Sequence, residues 1–89
     1  MNAEMRALLR NDILMGLDRL GDYEPVLDAL HLNLRAMGHQ SSRDEVKTEL
    51  RYLMDKGFVT TREKEISPEL TRYRITAAGR DYLAKEGLA

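Results

Sequence analysis

Residues 41–59 read SSRDEVKTELRYLMDKGFV, from Ser41 to Val59, and this stretch decides the fold. Ser42 followed three positions later by Glu45 has the spacing of a capping box. In that motif the serine hydroxyl accepts from the backbone N–H of Glu45, and the carboxylate reaches back to the N–H of Ser42. Val46, Leu50, Leu53 and Met54 then fall on one apolar stripe of an α-helix. Gly57 can take the left-handed conformation that ends it, and Phe58, Val59, Thr60 and Thr61 favour extended chain. The stretch reads as a helix over 42–56 that passes directly into a strand.

The charges on this helix are sorted. Arg43, Lys47 and Arg51 repeat every fourth residue as a basic row beside the apolar stripe, and Glu45 and Glu49 form an acidic row on the other flank. Like charges at this spacing cost roughly 0.2–0.5 kcal/mol per pair unless something relieves or uses them. A polyanion is one partner that would use the basic row. The other reading is a solvated face neutralised locally, Asp44 with Lys47 and Arg51 with Asp55.

The chain has 89 residues, 43% hydrophobic and 33% charged, which suits a single globular domain over 1–89 and is too short for a two-domain enzyme. No apolar run approaches the roughly 20 residues that cross a bilayer, and no signal-like segment opens the chain, so no membrane partner is expected. The absence of cysteine excludes disulfides and thiolate metal sites, and a cytoplasmic location is the default expectation. A net charge of −1 argues against a protein that coats nucleic acid by bulk charge. Any such contact has to come from locally sorted residues.

Working outward, Met5, Leu8, Leu9, Ile13, Leu17 and Leu20 keep a helical period, widened by Leu14 and Met15, and predict a helix over 2–20. Gly21 and Asp22 break it. Pro25 suits the first turn of a second helix over 25–37, with Val26, Leu27, Leu30, Leu34 and Met37 as its buried stripe, and Gly38 stops it. Only four residues then separate it from Ser42, a connection expected of a helix-turn-helix. Beyond Thr61, a polar run from Arg62 to Glu69 with Ser67 and Pro68 as turn formers predicts the tip of a hairpin. The return strand, Leu70 to Ile75, alternates Thr71, Tyr73 and Ile75 with Arg72 and Arg74, so both arginines are expected to face outward. Thr76 can cap a last helix over 77–86 whose Tyr82 and Leu83 pack on the body.

This order resembles the winged helix-turn-helix domain: mainly α with a small β-hairpin, a three-helix core, a two-stranded wing over 58–75 and a C-terminal helix. Ser42, Val46, Leu50, Leu53, Lys56, Gly57, Phe58 and Val59 are similar to the corresponding stretch of MarR-, PadR- and ArsR-like regulators. YRITAAGRDYL, Tyr73 to Leu83, looks like the segment that closes the wing in those families. LNLRAMGHQSSRDEV also resembles short winged-helix proteins of Mu-like prophages.

The resemblance implies a transcriptional regulator that binds double-stranded DNA, its third helix in the major groove and its hairpin on a neighbouring groove or phosphate. It makes Ser41, Ser42, Arg43, Lys47, Thr48 and Arg51 the groove candidates, with Arg43 and Lys47 foremost. Arg62, Lys64, Arg72 and Arg74 become the wing cations, nearly offset by Glu63, Glu65 and Glu69. A homodimer through the first and last helices is expected, because paired half-sites multiply specificity. Asp44 and Glu45 depart from a comfortable DNA binder, since carboxylates repel phosphate. A winged-helix protein-interaction module without DNA binding is therefore the alternative.

No catalytic constellation, cofactor motif or metal site assembles. His31 and His39 have no acidic partner at ligand spacing, and read as a helix-flank residue and a turn residue, either near enough to touch a passing phosphate. Ser42 is accounted for by capping. Tyr52 lies on the exposed side of its helix, a contact candidate for sugar or protein.

Overall fold

Helix-forming segments with polar caps and glycine stops condense here around one apolar cluster. In this computed structural model, which describes residues 2–64 and 67–89 and leaves the side chains of 63–69 outside the description, six elements follow in order. They are α1 (Ala3–Leu20), α2 (Leu27–Ala36), α3 (Arg43–Asp55), β1 (Val59–Lys64), β2 (Ser67–Ile75) and α4 (Ala77–Lys85). The layout is mainly helical with a two-stranded antiparallel hairpin, winged-helix-like as expected.

The capping box forms as its spacing requires: Glu45 N–H donates to Ser42 Oγ at 3.1 Å, and Ser42 N–H donates to Glu45 Oε1 at 2.8 Å. At the other end Gly57, at φ 80°, lets its N–H reach the Met54 carbonyl while the Phe58 N–H reaches that of Leu53, both at 2.9 Å. This Schellman closure satisfies two of the orphan carbonyls of α3 and turns the chain into β1. The same pattern closes α2, where His39 N–H donates to the Leu34 carbonyl at 3.0 Å.

Leu9, Ile13, Leu14 and Leu17 of α1, Leu27, Leu30 and Leu34 of α2, Val46, Leu50 and Leu53 of α3, Val59, Tyr73 and Ile75 of the hairpin, and Leu83 of α4 make one buried core. Three members of the expected stripes are exposed instead. Met5 and Leu8 are 46% and 49% exposed because every described residue before Leu9 is solvent-facing, so the first two turns of α1 extend past the core. Met37 is exposed because it is already the C-cap of α2.

Two boundaries differ from expectation. Helix α2 starts at Leu27, because Val26 is extended and it and Pro25 pair with β2. Tyr73 N–H donates to the Pro25 carbonyl at 2.9 Å, and Val26 bridges to Arg72. The hairpin is also longer than its apolar residues indicate. Val59↔Ile75 to Arg62↔Arg72 pair in register, and pairing resumes at Lys64↔Ser67 after an irregularity, so Ser67 and Pro68 belong to β2. The stretch from Arg62 to Glu69 carries no apolar alternation, so by local rule its polar composition reads as loop.

Helix α4 is seated on the end of α3 by a shared set of carbonyls. The Thr76 hydroxyl donates to the Gly57 carbonyl at 2.6 Å and accepts from Gly79 N–H at 3.1 Å, while Thr76 N–H donates to the Phe58 carbonyl at 2.9 Å. Gly79 permits this approach: a Cβ there would press into the Phe58 carbonyl oxygen and lie 2.7 Å from Ile75 Cγ1. Gly79→Ala is expected to destabilise the protein by about 1–3 kcal/mol, overpacking outweighing the gain in helix propensity. Urea midpoints at unchanged m value would show it.

Candidate nucleic-acid interface

With Val46, Glu49, Leu50 and Leu53 turned inward, α3 presents Asp44, Lys47, Thr48, Arg51 and Asp55 to solvent. The helix cannot rotate about its axis, because a polar contact fixes it beside the apolar one. Arg10 Nε donates to Glu49 Oε1 at 2.6 Å, and the Glu49 side chain is only 6% exposed. The Arg10 guanidinium also lies 3.7 Å from the centre of the Tyr52 ring, so Tyr52 carries a cation on one face. The acidic row therefore splits: Glu49 is buried and paired with α1, and Glu45 is spent on the cap.

The ten candidates occupy different settings. Lys47 and Arg51 are exposed and make no ion pair with a described residue, so they are the cations presented outward. Neither Asp44 with Lys47 nor Arg51 with Asp55 pairs among the described residues. Arg43 instead crosses to α2, its Nε 2.6 Å from Asp28 Oδ1. Thr48 turns its hydroxyl back to the Asp44 carbonyl at 2.9 Å. Ser42 accepts at the cap, and Ser41 is buried, its carbonyl 2.9 Å from His31 Nε2.

In the hairpin, Glu24 gathers the arginines. Its carboxylate is 3.2 Å from Arg62 Nη2 and 3.9 Å from Arg74 Nη1, and its carbonyl accepts from Arg72 Nη1 at 2.9 Å. Arg72 is half-buried rather than outward-facing. The side chain of Lys64 lies outside the described residues, as do those of Glu63, Glu65 and Glu69.

Sequence reasoning missed Arg10, Asp12, Glu24 and Asp28, each of which acts on a residue far along the chain. It also placed His39 on the surface as a turn residue. The structure buries it, with Nε2 2.6 Å from Asp12 Oδ2. A signal existed: the second residue past the end of a Schellman-closed helix folds back on the last turn, here Leu34.

Among the described residues no cluster of three or more histidine, cysteine or acidic side chains could hold a metal ion, and no helix is long and apolar enough to cross a membrane. No protein-family model matches the chain, and no curated protein matches it either.

Glu45 has its carboxyl held below the ordinary range, first by the backbone N–H of Ser42 and then by the Ser42 hydroxyl. A carboxylate with a lowered folded value adds stability above the ordinary carboxylate range and loses it as pH falls through the folded value. Wild type should therefore exceed Glu45→Ala in stability at neutral pH, and the gap should close on acidification. Urea denaturation across a pH series measures it.

Proposed function

We propose that the protein binds double-stranded DNA sequence-specifically as a transcriptional regulator, with α3 in the major groove. The observation that carries this reading is the outward pair Lys47 and Arg51 on a helix locked by its own cap and by the Arg10–Glu49 contact. Two cations one turn apart on a rigid helix can meet a base edge and a neighbouring phosphate without first breaking an internal pair. The near-neutral chain leaves such local sorting as the source of attraction. Arg62 and Arg74 share Glu24, which makes the wing a weaker contributor to charge. A cytoplasmic setting fits this role.

Replacing Lys47 and Arg51 together by alanine should leave the fold intact, since both are exposed, and weaken DNA binding. If each meets one phosphate, the slope of log K against log salt should fall by about 2. Fluorescence polarisation with DNA selected from a genomic library measures both. An unchanged slope would remove this face from the interface.

The protein-interaction alternative draws on Asp44 and Glu45 at the tip of α3 and on the carboxylate of Glu24 beneath the wing. Complete failure of DNA selection at moderate salt would favour it.

A homodimer belongs to the proposal. Met5 and Leu8, one turn apart on the projecting start of α1, offer an apolar contact, whereas the exposed positions of α4 include Arg80, Asp81 and Lys85. Sedimentation equilibrium should find dimers that Met5→Glu with Leu8→Glu turns into folded monomers. A monomeric wild type would refute the dimer.

A further inference from the structure

Between α2 and the start of α3 lies a cleft of about 540 Å3 lined by His31, Arg35, Gln40, Ser41, Ser42 and Arg43. None of these side chains is acidic. Ser41 is the informative one. It is only 7% exposed, and its hydroxyl has no hydrogen-bonding partner among the described residues, although its carbonyl is engaged by His31. No described side-chain oxygen or nitrogen that is sealed from solvent is left unpaired, so this hydroxyl keeps an opening, and the cleft it lines supplies one. A nearly buried hydroxyl without a protein partner is a donor held ready, and a charged oxygen is a stronger acceptor for it than water.

The surroundings favour an anion. The cleft opens at the N-terminus of α3, where the positive end of the helix dipole lies. Arg35 is exposed at the cleft and makes no ion pair with a described residue. Arg43 already holds an oxyanion, the Asp28 carboxylate at 2.6 Å, in a pair whose partners are 42% and 72% exposed. Pairs so exposed contribute little, so Asp28 can yield to a stronger ligand. Glu45 opposes an anion, but its carboxylate is engaged by the Ser42 N–H at the cap.

We propose that this cleft binds a phosphate group, with the Ser41 hydroxyl donating, Arg35 and Arg43 supplying charge and Asp28 acting as the resident competitor. The phosphate is a backbone phosphodiester if the DNA reading holds, on which this half of the inference rests, or a free phosphate. Two arms separate them: inorganic phosphate, and a short DNA duplex, each added to the 15N-labelled full chain at ionic strength fixed with chloride.

Phosphate should shift the amides of Ser41 to Asp44 saturably. Ser41→Ala should keep the thermal midpoint, since the hydroxyl supports no internal bond, yet weaken phosphate about tenfold. Asp28→Asn should tighten it about twofold or more. If the duplex shifts the same amides and displaces phosphate, the source is the DNA backbone. If phosphate shifts them and the duplex shifts nothing, the cleft stands for free phosphate and the DNA reading falls. If the duplex moves only the amides around Lys47 and Arg51 while phosphate moves none, the cleft proposal is overturned and the DNA reading stands. Undiminished binding of phosphate by Ser41→Ala would overturn it as well.

Discussion

The contact between Arg10 and Glu49 governs how α3 is presented. Burying a carboxylate is tolerable only with a partner of opposite charge in good geometry, and α1 supplies one at 2.6 Å. Removing Arg10 would leave the Glu49 carboxylate buried without its partner, a loss that counts against the roughly 5–15 kcal/mol of total stability of a typical domain. The neighbours of Arg10 extend the same logic. Asn11 accepts from the Tyr82 hydroxyl of α4 at 2.8 Å, and Asp12 reaches His39 in the turn before α3. Successive side chains on a helix point about 100° apart, so three consecutive residues of α1 reach three different parts of the molecule. The apolar core holds the helices together, and this polar fan sets their rotation.

Charge is organised with similar economy. A nearly neutral chain cannot offer a broad positive field, and most of its candidate arginines are committed internally: Arg43 to Asp28, Arg62 and Arg74 to Glu24, Arg72 to a backbone carbonyl, as Arg10 is to Glu49. These commitments differ in strength. The Arg10 pair is part-buried, with its carboxylate only 6% exposed, whereas the Arg43 pair is open to water and gives way more readily. The difference separates cations that build the fold from cations able to exchange partners.

The parts legible in the sequence were those written within one helical turn. Ser42 and Glu45 are three apart, Gly57 ends its own helix, and the stripe of α3 needs no knowledge of the rest of the chain. What escaped depends on distant partners. Glu49 sits at the edge of the stripe, and only Arg10, 39 residues away, decides that it goes inside. Pro25 fits a helix start by local rule, yet the open edge of β2 claims it. Ser41 stood among the groove candidates, yet it is nearly buried, with its carbonyl against His31 of α2. Among the site candidates, charge and spacing marked the right helix, while the partners of Arg43, Arg62 and Arg74 could be read only after the chain had folded.

The hydrogen bond from Tyr82 to Asn11 spans 71 positions, and Leu83 shares one core with Leu9. A chain made from its N-terminus onward therefore completes α1, with Leu9, Ile13, Leu14 and Leu17 along one side, long before the helix that seals that side exists. The closing step waits for translation to pass Leu83. Until then the part of α1 that faces α4 stays uncovered, the kind of apolar surface that chaperones shelter.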